Sequence, residues 1–128
     1  MLTSNIFAVM TGGAVGALLR YGVVNWVIIN FGLKDIPLGT LLVNVVGSFL
    51  IGILAYLFVI KISNDFLRIF FIIGLLGSFT TVSSFSLETV ELLMQAQYFR
   101  AVANIAATLV FCLAATWLGL IFARTLLN

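Results

Sequence analysis

The chain has 128 residues, 63% of them hydrophobic and 8% charged, against about 25% charged in a soluble domain, which excludes a soluble enzyme, a disordered chain and a sizeable extramembrane module. The formal charge of +2 comes from six basic and four acidic residues scattered along the sequence, without the basic stripe that nucleic acid binding requires. With no His, and one Cys inside an apolar run, no zinc or iron cluster and no disulfide framework can be assembled from one chain.

Crossing a hydrocarbon core of about 30 Å takes roughly 20 apolar residues, and the sequence offers four such stretches. The first covers about 5–31; the opening MLTSN has no basic residue, so a retained membrane helix is expected rather than a secretory signal. Gly, the charge pair Lys34 and Asp35, and Pro37 mark residues 32–37 as a link. The second span is expected over Leu38–Ile60. Lys61, Ser63, Asn64 and Asp65 form the next link, with Ser63 or Asn64 as N-cap of the third span, about 66–93. Residues 95–98 then separate it from a fourth span, about 99–122, with Arg124 and Asn128 beyond it. The expectation is an all-α membrane protein, one four-helix transmembrane domain over 1–128.

Short links make consecutive helices antiparallel neighbours and put both termini on one side. Lys61, Arg68 and Arg124 belong to that side; Lys34, Arg100 and Arg20 belong to the other. Three against three gives no Lys/Arg excess to fix orientation. Dual topology follows as an expectation, two copies inserted oppositely and pairing about a two-fold axis in the membrane plane. A single orientation set by factors other than charge is the alternative.

Polar residues stand where lipid-facing residues would be apolar. In the first span Gly12, Gly16 and Arg20 share one face; the glycines suit close helix packing, and Arg20 reaches either headgroups or a watery vestibule. Thr40, Asn44 and Ser48 recur every four residues on the second span, as do Asn104, Thr108, Cys112 and Thr116 on the fourth, making two slowly winding polar ridges. They serve either as interhelical hydrogen bonds or as the neutral lining of a passage. Residues 74–86 read GLLGSFTTVSSFS, and glycines and hydroxyls in place of aliphatics mark a helix broken at mid-membrane, or an intact one whose hydroxyls bond back to their own carbonyls. Freed carbonyls at a break can hold a cation, and freed amides can face an anion. Glu88 and Glu91 follow, near a pore mouth or headgroup level.

With GGAVGALLRY, GTLLVNVVGSFLIG and GLLGSFTTVSSFSLE in order and suitably spaced, the chain resembles the Fluc (CrcB) fluoride channels of microbial membranes over essentially all four spans. The resemblance implies an antiparallel dual-topology dimer in the cell inner (plasma) membrane, with two pores that conduct fluoride passively and selectively and so relieve its toxicity. It implies no enzymatic activity. By motif position, Asn44 matches the pore asparagine and Phe85 the second phenylalanine of the third-helix box. Gly77 and Thr80 match positions whose backbone carbonyls, from both subunits, hold a central structural sodium ion. Arg20, Thr40, Glu88 and Thr116 match vestibule or pore-end positions, and Thr108 and Cys112 the fourth-helix hydroxyl track. The family box usually reads TTFSTFS, so Val82 replaces its first phenylalanine, followed by Ser83 and Ser84; Asn104 stands where Tyr or His is expected and Cys112 where Ser or Thr is. These departures bear on conduction rather than on fold. They also suit a subunit that conducts only beside a dissimilar paralogue.

A second class, the small proton-coupled multidrug exporters, shares four helices and dual topology. It needs an embedded carboxylate in the first helix, where this chain has Arg20. Glu88 is the one acid of comparable depth.

Fluoride is small and strongly hydrated, so a pore must replace its water without trapping it. Neutral donors such as Asn44 and Thr108, with the positive ring edge of Phe85, meet that requirement. A bare guanidinium would hold the ion too firmly, which places Arg20 at a mouth.

Overall fold

A computed structural model describes residues 2–32 and 36–127; Lys34, Asp35 and Asn128, used in the charge and link arguments above, lie outside the described residues. Every regular element among the described residues is helical: α1 (Leu2–Phe31), α2 (Leu38–Ile60), α3 (Asp65–Arg68), a π-helical segment (Ile69–Leu76), α4 (Gly77–Phe79), α5 (Val82–Met94) and α6 (Tyr98–Leu127). With Asp65–Met94 taken together, four helices are long and apolar enough to cross a membrane.

The boundaries follow local chemistry. Asn64 is the N-cap of α3, its extended backbone letting the side-chain oxygen accept the Leu67 N–H at 3.1 Å. Gly32, at φ 64°, closes α1 as its N–H donates to the Ile28 carbonyl at 2.9 Å. The last span runs to Leu127 rather than stopping near 122, because nothing beyond Phe122 disfavours helix and Arg124 in the last turn complements the helix dipole. At the end of α5, Ala96 adopts φ 57° while its N–H donates to the Leu93 carbonyl at 3.0 Å and the Gln97 N–H to the Leu92 carbonyl at 2.9 Å. This is a Schellman ending with alanine in the left-handed position that glycine normally fills.

In lipid there is little hydrophobic drive between helices, so contact depends on small residues that let backbones meet. A Cβ on Gly12 would sit 2.4 Å from the Phe70 carbonyl oxygen, and one on Gly16 2.1 Å from that of Leu75. The first-span glycines therefore serve packing, seating α1 on the π-helical segment. Across α2 and α6 the arrangement is reciprocal: Gly52 faces the Thr116 carbonyl oxygen at 2.3 Å from an ideal Cβ, and Gly119 faces that of Phe49 at 2.2 Å. The apolar core is small, built on Val43, Leu76 and Phe79 with Val24, Ile51 and Leu75 against them. The outer surface is rich in exposed Leu, Ile, Val and Phe, as suits a hydrocarbon solvent.

Candidate functional site: a polar groove beside Asn44 and Thr81

Between α4 and α5 the backbone leaves the helix for two residues. Thr80 lies at φ −82°, ψ 158° and Thr81 at φ −154°, ψ 120°, both extended. Asn44, buried on α2, clasps this stretch at two points: the Thr81 N–H donates to Asn44 Oδ1 at 2.7 Å, and Asn44 Nδ2 donates to the Thr81 carbonyl at 3.0 Å. A carboxamide presents donor and acceptor side by side and so replaces the partners that helical winding would have supplied. Thr81 then caps α5, its Oγ1 accepting the Ser84 N–H at 3.1 Å, with the Ser83 hydroxyl 3.0 Å away.

These bonds redirect two donors. In an unbroken α-helix the Thr81 N–H would bond the Gly77 carbonyl and the Ser84 N–H the Thr80 carbonyl. Here the first goes to Asn44 and the second to the Thr81 hydroxyl. Both carbonyls thereby lose their ordinary helical donors, and hard carbonyl oxygens of this kind suit an alkali cation such as sodium.

A groove of about 370 Å³ runs beside this stretch, lined by Asn44, Ser48, Gly77, Thr80, Val82, Thr108 and Cys112 among aliphatic side chains. Its polar lining is neutral. Two members of each expected ridge reach it: Asn44 and Ser48 from α2, Thr108 and Cys112 from α6. On the rim, Val82 is 75% exposed, Leu109 57% and Leu113 72%. Phe85 and Ser84 are half-buried and Ser83 is exposed, and none of the three lines this groove.

The other expected site residues lie elsewhere. Thr40 donates to Glu88 Oε1 at 2.5 Å, while Glu88 Oε2 is buried without a partner among the described residues. The pair lines a cavity of about 130 Å³ with Glu91 and Gln95. Asn104 is buried and turned to α5, where its Nδ2 donates to Thr89 Oγ1 at 2.9 Å. Thr116 bonds back to the Cys112 carbonyl at 3.0 Å, the ordinary outcome for a helical hydroxyl in lipid. Arg20 is half-buried; the one ion pair among the described residues is the exposed Arg68–Asp65 contact at 3.7 Å. Sequence reading passed over Thr81 as a hub and Thr89 altogether. A threonine three residues before Ser84 is a legible N-cap signal, whereas nothing distinguishes Thr89 from any other hydroxyl in a span.

The family model described as CrcB-like protein, Camphor Resistance (CrcB), matches residues 7–120. The chain belongs to this family. A fluoride-specific ion channel FluC of Geobacter metallireducens is 45% identical over 127 residues, covering 98% of this chain and 100% of the relative. One of Sorangium cellulosum is 43% identical over 122 residues, covering 94% and 95%, and one of Coxiella burnetii 39% over 124 residues, covering 95% and 99%. These relatives are named as ion channels, not enzymes. Four spanning helices and that kinship make the chain a multi-pass membrane protein.

Proposed function

We propose that the chain is a passive fluoride-selective channel of the cell inner membrane that exports fluoride, working as an antiparallel, dual-topology dimer with two pores. The observation that carries this reading is the groove beside Asn44 and Thr81, lined by neutral donors and carrying no fixed charge. Asn44 commits one Nδ2 hydrogen and its oxygen to Thr81, and the second N–H remains for an ion. Thr108 lines the groove with Asn44. Ser83, Ser84 and the edge of the Phe85 ring, outside that lining on the first turn of α5, are assigned to the continuation of the same path of weak contacts, which replaces hydration without trapping the ion. The groove has one wall, and its exposed Val82, Leu109 and Leu113 rim calls for a second copy to close it. Kinship with relatives named fluoride-specific ion channels supplies the ion.

The interruption at Thr80 and Thr81 is read here as the mid-membrane break of the third span, since extended backbone at that depth survives only inside protein or beside a cavity. A sodium ion fits the carbonyls of Gly77 and Thr80, held together with those of the second copy, and would offset the partial negative charge that the diverted donors leave there. Thr40, Glu88 and Thr116 are assigned to pore ends and Arg20 to a vestibule, where its charge gathers anions.

The test is fluoride efflux from liposomes loaded with purified protein, followed with a fluoride electrode. The wild type is expected to release fluoride and retain chloride, and Asn44→Asp and Phe85→Ile to lose most of that flux while remaining dimeric. No fluoride release by the wild type, alone or with a dissimilar family member, would overturn the reading. Exchanging sodium for N-methylglucamine is expected to weaken the dimer; an unchanged dimer would remove the sodium assignment.

A further inference from the structure

The element that carries Phe85 is held in an unusual way. Among the residues of α5 only Thr89 and Leu92 are buried, so apolar packing constrains this helix weakly. Polar links hold it instead. Its cap, Thr81, is clasped by Asn44 of α2; Glu88 accepts from Thr40 of α2; and Thr89 accepts from Asn104 of α6 at 2.9 Å.

Glu88 and Thr89 are adjacent, so they project about 100° apart around the helix axis. One is tied to α2 and the other to α6, and two tethers in different directions fix the rotation of a helix where one would allow it to roll. Thr89 is coupled to Phe85 directly, because its hydroxyl donates to the Phe85 carbonyl at 2.7 Å while accepting from Asn104. Phe85 sits one turn earlier, about 6 Å along the axis and on nearly the same face. Asn104 and Thr89 are both buried, at 7% and 6% exposure, so water does not compete for these bonds.

We propose that Asn104 is a positioning residue: acting through Thr89, it sets the rotation of α5 and so the aim of the Phe85 ring. Its consequence for ion flow rests on the channel reading above; its effect on the ring does not. Asn104 thereby acts one step removed from the ion, whereas its place on the fourth-span ridge suggested a direct donor. The chain Asn104 to Thr89 to Phe85 also gives Thr89 a role that a lone hydroxyl would lack.

The test uses the full-length protein with 4-fluorophenylalanine introduced at position 85 and observed by fluorine NMR in detergent, alongside fluoride efflux from liposomes. Asn104→Ala and Thr89→Val are each expected to shift or broaden the position-85 resonance and to slow efflux about tenfold, the scale of one lost buried hydrogen bond. The double variant should do no more than either single one, because both cut the same link. Thr89→Ser keeps the hydroxyl and should behave as wild type. An unchanged resonance in both single variants overturns the proposal, as does Asn104→Ala slowing efflux without moving the resonance, which would make Asn104 a direct pore donor. If Asn104→Ala fails to fold, Thr89→Val against Thr89→Ser decides. Should the wild type conduct no fluoride, the resonance still reports the link, so failure of the channel reading and failure of this one are separable.

Discussion

The contact between α2 and α6 and the attachment of α5 are two ways of holding helices together where water offers no help. Gly52 and Gly119 bring α2 and α6 so close that each backbone lies where the other's Cβ would be. α5 buries little and hangs on side-chain hydrogen bonds from Asn44, Thr40 and Asn104. The first contact is steric and spread along a ridge; the second is chemical and concentrated in a few atoms. Steric contacts tolerate loss of polarity but not added bulk, and the polar ones respond in the opposite sense.

The sharpest way to break this contrast is Gly119→Val. Its first added carbon would lie 2.2 Å from the Phe49 carbonyl oxygen, so α2 and α6 must separate, at a cost of about 3 kcal/mol. Thermal loss of the monodisperse species by size-exclusion chromatography should show the largest drop of the series. Asn44→Ala removes both bonds to Thr81 and is expected to cost about 2 kcal/mol in the same assay, with fluoride efflux falling further than stability does. Thr40→Val preserves shape and removes the donor to Glu88, for a loss of about 1 kcal/mol. An effect of similar size but opposite sign is a gain: Ala96→Gly relieves the left-handed alanine and should stabilise the protein by about 1 kcal/mol. A valine at 119 that melts as the wild type does would show that the glycine contact is not what holds α2 to α6.

Much of the architecture was legible because it depends on local signals. The limits of α2, the Asn64 cap and the close approach at Gly12 and Gly16 each rest on residue types whose physics is settled within a few positions. The destination of a polar side chain is different. Asn44 and Asn104 both stood on ridges spaced by four, yet one clasps the backbone at Thr81 while the other reaches across to Thr89. Their partners lie on α5 and at its N-cap, whose placement is set by several helices at once, and periodicity along one helix carries no information about that. The π-helical winding of Ile69–Leu76 was also hidden, since an aliphatic and aromatic run is compatible with either winding. The left-handed Ala96 was hidden as well, because alanine there is held by two backbone bonds and not by preference.

That π-helical segment gives the third span slack in chain length that substitution does not reveal. A π turn is an α turn with one residue folded in, so deleting a single residue from Ile69–Leu76 would let the segment relax to ordinary winding and remain helical. Everything downstream would then arrive in nearly the same phase, with Gly77, Thr80 and Thr81 still turned toward Asn44. The span would keep both its hydrophobicity and its register, which makes a one-residue deletion in this stretch less damaging than the same deletion in α2 or α6, where nothing absorbs a turn of about 100°.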